Sequence, residues 1–182
     1  YGFAASAWNR GADGVYLFNW MDSETQPVNA ESYRILLQQG LSADAAAQMP
    51  RRYPVCYRDT VPADFPNGVV LPVEGREGGV FQIHIGPKPA SGNVCLIAGL
   101  SQREGLSDTV FRAEINGVET SPMEDLGNFE EIGGETARAL RFRCPSEAVR
   151  DGYNEIRICQ NPGAPSQQVV WIELRIEPEA KN

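Results

Sequence analysis

Beyond residue 66 apolar side chains fall on alternate positions. Phe81, Ile83 and Ile85 alternate with Gln82 and His84, Phe111, Ala113 and Ile115 with Arg112 and Glu114, and Leu140, Phe142 and Cys144 with Arg141 and Arg143. A period of two puts one side of each segment on a core and the other in water, as in half-buried β-strands. The apolar run at 94–100 predicts a central strand, and Pro72 demotes the first strand, around 69–73, to an edge. Asn116-Gly117 predicts a tight hairpin. In the last strand, Val169 to Ile176, Val170, Ile172, Leu174 and Ile176 share one face and Trp171, Glu173 and Arg175 the other. Residues 121–135 read as a long acidic loop. About eight short strands with turn signals every ~8–15 residues predict an antiparallel β-sandwich over 67–182.

The pattern before residue 50 is different. Residues 2–10 predict a helix with Phe3, Ala4, Ala7 and Trp8 near one face and Gly11 after its end. The stretch from Gly14 to Trp20 is apolar on both parities, as in strands covered on two faces. A helix from Glu31 to Gln39, capped by Asn29, and a short one from Ala43 to Met49, stopped by Pro50, complete a helix-strand-helix unit over 1–50. Pro50, Pro54, Pro62 and Pro66 make 51–66 an extended connector between the two parts. The strand at Val15 to Phe18 has no parallel partner in the rest of the chain, which predicts a chain that begins inside a larger protein. Its apolar faces then need cover from the flanking helices, the sandwich or a second copy of the chain.

Composition narrows the partners. The chain has 182 residues and a formal net charge of -8. Such a chain is repelled by phosphate backbones, so nucleic acid is not an expected partner. No apolar run approaches the ~20 residues of a membrane span. The opening YGFAASAW reads as the middle of a helix, and a missing N-terminus would hide any export signal, so the compartment is not readable. Cys56, Cys95, Cys144 and Cys159 include no C-x-x-C pair. Cys144 shares parity with core positions and Cys159 with Arg157, which favours free thiols over a bridge between them. No Gly-rich phosphate loop joins a strand to a helix, and no cofactor is expected.

Two stretches resemble known folds. Ala5, Trp8, Gly11, Ala12, Asp13, Gly14, Tyr16, Phe18 and Asn19 spell a pattern similar to the last helix and strand of a (β/α)8 barrel in bacterial glycoside-hydrolase-like proteins. Asn116, Gly117, Gly152, Asn154, Ile156 and Ile158 resemble strand motifs of a galactose-binding-like jelly roll. Together the resemblances imply the C-terminal part of a carbohydrate-active protein: an end-of-barrel unit followed by an accessory sandwich. The partners they imply are carbohydrate, the remainder of the parent chain, and a second copy docked on the barrel unit.

In a barrel, groups just past a strand's C-terminal end face the active site. That places Asn19 and Trp20 as ligand contacts and Asp22 and Glu24 as candidate acids. Glycoside hydrolysis needs two carboxyl groups about 5–10 Å apart across the bond. Asp22 and Glu24 share one short loop, and both also read as ordinary loop acids. Arg141, Arg143, Arg157, Trp171 and Arg175 lie on outward positions of the later strands, where Trp171 and Arg157 are candidate sugar contacts. The simpler reading packs that face against other parts of the protein. The only histidine, His84, points away from the core and reads as a surface residue. The acids Glu124, Asp125, Glu130, Glu131 and Glu135 lack the spacing of a calcium loop. The expectation is a non-catalytic accessory module that contacts carbohydrate. The rivals are a contribution to a glycosidase site through Asp22 or Glu24, and a structural or protein-binding domain.

Overall fold

The period-two stretches form two antiparallel sheets. The computed structural model describes residues 1–15, 31, 34, 35, 37, 38, 42–55, 71–129 and 135–179. The larger sheet runs β1 (Arg51–Pro54), β10 (Gln168–Glu177), β4 (Asn93–Leu100), β8 (Arg138–Arg143), β7 (Ser121–Gly127), with β2 (Val73–Glu74) pairing the start of β10. The smaller runs β3 (Gly79–Ile85), β9 (Gly152–Gln160), β5 (Phe111–Ile115), β6 (Val118–Glu119). Phe81, Phe111, Ile115, Ile156 and Ile158 of the smaller sheet join Leu96, Leu100, Phe142, Ile172 and Leu174 of the larger in one buried cluster. The chain is thus mainly β, with a β-sandwich whose core is the alternating set. Each such side chain, fully buried, contributes about 1.5–3 kcal/mol.

The two outer faces differ. On the smaller sheet Val80, Gln82, Tyr153 and Arg157 meet solvent. On the larger, a second apolar cluster of Ile97 and Ala139 with Leu126, Phe129 and Trp171 gives β4 cover on both sides. The register of β10 against β4 shifts between Val169 and Trp171. A bulge of this kind moves the alternation by one residue. It brings Val169 rather than the predicted Val170 into the main cluster with Ile172.

Two segments depart from the sequence reading. Arg51–Pro54, expected in the connector, is edge strand β1, with Arg51 opposite Ile176 and Tyr53 opposite Leu174. Proline is tolerated at such an edge. Ser121–Gly127, expected within the acidic loop, is edge strand β7 on β8. Nearly every β7 side chain is exposed, so no alternation marked it. The Asn116-Gly117 hairpin forms as predicted, both residues at positive φ (51° and 80°), as a type I′ turn requires.

The helix α1 (Gly2–Asn9) packs on α2 (Ala43–Gln48), β1 and β3. Its buried face is Gly2, Ala4 and Ala5, whereas Phe3, expected inward, is 75% exposed. Backbone proximity sets that face. A Cβ on Gly2 would lie 2.2 Å from the Arg52 carbonyl oxygen, and one on Gly86 would lie 2.7 Å from that of Ala5. Ser42 caps α2 by accepting from the Ala45 N–H at 3.4 Å. Glu31, Arg34, Ile35, Leu37 and Gln38 carry helical backbone, as predicted for 31–39. The expected strand at 14–20 lies almost entirely outside the described residues, as do Cys56 and 67–70.

Candidate functional site

Asn19, Trp20, Asp22 and Glu24 lie outside the described residues. Trp171 and Arg157 belong to different sheets, so the grouping of outward Arg and Trp side chains does not form one surface. Arg157 is exposed on β9 and pairs with Glu155 at 2.9 Å. Trp171 is half-buried on the larger sheet. Its indole N–H donates to Glu173 at 3.0 Å, and its ring joins the Ile97–Ala139 cluster.

Glu173 organises that face. Its carboxylate is fully buried and accepts from Arg52 Nε and Nη2 at 2.5 and 2.8 Å and from Arg175 Nε at 2.7 Å. Burial pushes its pKa up, but the hydrogen bonds and charges of Arg52 and Arg175 outweigh this and hold it below the ordinary value. Arg175 also lies over the Phe129 ring, 5.1 Å from its centroid. Arg141 pairs with Glu177 at 3.1 Å. A carboxylate so fully engaged is poorly placed to transfer protons.

The open chemistry lies at one end of the sandwich. A cleft of about 520 Å³ runs between the 101–109 connection and the facing ends of β7 and β8. Gln102, Arg103, Ser107, Asp125 and Arg138 bring polar groups to it, and Leu106 and Ala137 supply apolar wall. Arg138 fixes the geometry, pairing with Asp125 at 2.9 Å and donating to the carbonyls of Leu106 and Thr109. Arg103 makes a forked pair with Glu74 at 2.9 and 3.0 Å, and Ser166 bonds the same carboxylate. These bonds hold Glu74 below its ordinary pKa. The cleft therefore presents planar guanidinium and carboxylate groups, with Arg138 and Asp125 held in fixed orientation by their pairing. In the sequence this segment reads as a plain loop. Its signal was the polar run from Gln102 to Glu104 directly after the most apolar strand.

No family model and no curated protein matches this chain. Among the described residues no group of three or more His, Cys, Asp or Glu side chains is arranged to hold a metal ion. His84 does point away from the core, as expected, but α1 half-covers it. Ser6 Oγ lies 2.8 Å from its Nδ1, and Tyr153 meets it edge-on at 4.8 Å. Burial and then the Arg10 charge push its pKa down. Cys95 and Cys144 are buried free thiols, and Cys159 is a partly exposed one.

Proposed function

We propose that this chain is a non-catalytic accessory β-sandwich of a carbohydrate-active, glycoside-hydrolase-like protein, contacting sugar through the cleft between the 101–109 connection and β7–β8. In this reading the sandwich is a galactose-binding-like jelly roll, and 1–50 is the closing unit of a (β/α)8 barrel contributed by the parent chain. The observation that carries the sugar contact is the cleft's lining. Planar amide, guanidinium and carboxylate groups suit paired hydroxyls. The tying of Asp125 and Glu74 into ion pairs supports binding rather than acid–base chemistry. The engagement of Trp171 with Glu173 supports a packing role for that residue.

The test is an amide NMR titration of the whole chain with gluco-, galacto- and manno-configured disaccharides, alongside Gln102→Ala and Ser107→Ala. Saturable shifts confined to 102–107 and 125–138, weakened in the variants, are expected. Shifts elsewhere, or none with any sugar, overturn the contact. Hydrolysis of an aryl glycoside that is lost in Asp22→Asn overturns the non-catalytic reading.

A further inference from the structure

The Asn116-Gly117 pair that turns the β5–β6 hairpin is also a site of intrinsic chemical reactivity. An asparagine followed by glycine is prone to deamidation, because the next residue has no side chain to hinder its backbone nitrogen. Solvent reaches the pair. Gly117 is exposed, Asn116 is half-buried, and a Cβ built on Gly117 would meet nothing within 4 Å. Exclusion of water therefore does not protect it. The reaction is intramolecular. Hydroxide removes the Gly117 N–H proton, and the nitrogen attacks Asn116 Cγ. The Cγ–Nδ2 bond breaks, and Nδ2 leaves as ammonia with a proton from water. A second water opens the cyclic imide at either carbonyl, giving aspartate or iso-aspartate. Before any of this, Cγ must swing onto the Gly117 nitrogen.

The fold opposes that swing with three tethers, all reaching away from the turn to β9 and the segment before it. Nδ2 donates to the Ala148 carbonyl at 2.7 Å and to Asn154 Oδ1 at 2.8 Å, and Oδ1 accepts from the Glu155 N–H at 3.0 Å. The same circuit rejects the product. Asn154 is fully buried, and its amide is pinned by the Arg150 N–H on one side and the carbonyls of Arg150 and Gly152 on the other. Turning it over to face a carboxylate would forfeit those bonds. An aspartate at 116 would set a charged oxygen against the Ala148 carbonyl and Asn154 Oδ1, both acceptors. Iso-aspartate would lengthen the main chain inside the tight turn that places Ile115 opposite Val118.

We propose that Asn116 is a deamidation site held latent by the folded protein: its tethers withhold it, unfolding releases it, and the product is barred from refolding to the native state. Time spent unfolded is thereby written into the chain as a permanent change at one residue. The site is separate from the cleft of Arg103 and Arg138 and does not depend on the carbohydrate reading.

The experiment incubates the whole chain at mildly alkaline pH, in buffer and in denaturing guanidinium chloride, and follows deamidation by peptide mass spectrometry. Asn67-Gly68, the other Asn-Gly pair of the sequence, calibrates the unfolded rate. In denaturant the two asparagines should react at comparable rates, and in buffer Asn116 should react more than about tenfold slower than in denaturant. Asn154→Ala removes one tether. It should speed Asn116 beyond Val94→Ala, a core variant that leaves all the tethers in place, when both are held at the same unfolded fraction. Asn116→Asp, the product itself, should melt below the wild type. Equal Asn116 rates in buffer and denaturant overturn the latency, no excess in Asn154→Ala overturns the tethers, and a wild-type melting temperature in Asn116→Asp overturns the barred return. If a variant fails to fold, the wild-type rates in the two solvents decide.

Discussion

The Asn116 side-chain amide donates to the Asn154 side-chain oxygen at 2.8 Å, joining the β5–β6 hairpin to the start of β9. Asn154 is fully buried and also accepts from the Arg150 N–H, while its own amide donates to the carbonyls of Arg150 and Gly152. Asn116 closes the circuit by accepting from the Glu155 N–H at 3.0 Å and donating to the Ala148 carbonyl at 2.7 Å. Asn154→Ala strands several of these groups inside the protein and should destabilise it by about 2–3 kcal/mol. Asn116→Ala should cost less, because its position is part of a surface turn. Urea unfolding of the two variants checks the order, and equal losses would contradict the central place of Asn154.

Glu173 gives an acid-side prediction. Its folded-state pKa lies below the ordinary 4.5, so its contribution is complete above that value and is lost as pH falls through the lowered one. Glu173→Gln removes the counter-charge of Arg52 and Arg175 and should lower stability by about 3 kcal/mol near neutral pH. The variant should also show a flatter decline below pH 4.5 than the wild type. Stability curves for both proteins, measured against pH, test this, and parallel acid limbs would refute it.

His84 titrates in the opposite chemical sense with the same outward sign. Burial and Arg10 push its folded pKa below the ordinary 6.5, so the unfolded chain binds the proton more tightly. The stability linked to α1 docking is complete above 6.5 and declines as pH drops below it. Tyr153, Ser6 and Arg10 are the groups facing the ring. His84→Gln should remove the step between pH 6.5 and the lowered value while leaving the deeper acid loss due to Glu173. Protection of the α1 amides, taken relative to intrinsic exchange at each pH, should fall across that range in the wild type only.

The cysteines should separate by rate. Burial, aided by Cys95, pushes the Cys144 thiol up to about 12, whereas Cys159 is partly exposed on the outer face of the smaller sheet. Thiolate is the reactive form. Disulfide-exchange labelling read by peptide mass should modify Cys159 well before Cys95 or Cys144, which should react only on unfolding. Equal rates for Cys144 and Cys159 would contradict the packing.

Alternation read most of the sandwich correctly, because one-sided burial writes itself into the sequence at Phe81–Ile85, Phe111–Ile115 and Leu140–Phe142. It failed where burial is not one-sided. β7 buries almost nothing, so its backbone pairing with β8 left no pattern in Pro122, Met123 or Glu124. β1 alternates Arg51 and Tyr53 against Arg52 and Pro54, but an inward arginine defeats a reading that counts apolar residues. The buried face of α1 keeps the expected Ala4 but takes Gly2 and Ala5 in place of Phe3, because close backbone contact favours small side chains. Asn116 and Asn154 carry the resemblance to a jelly roll, and their physical reason is the shared hydrogen-bond circuit. The cleft was not legible, since it is assembled by residues of three separate segments.

The approach of α1 to the sandwich at Gly2 and Gly86 bears on where the polypeptide can be divided. A cut made at the proline-rich stretch, where composition invites one, would strip away β1 and with it Arg52, the main ion-pair partner of Glu173. The bared edge of β10 would then offer free backbone donors and acceptors to any passing strand. The helical preface and the sandwich should consequently melt in a single transition. A fragment starting at residue 67 should precipitate on expression, while one that keeps α1 should stay monodisperse.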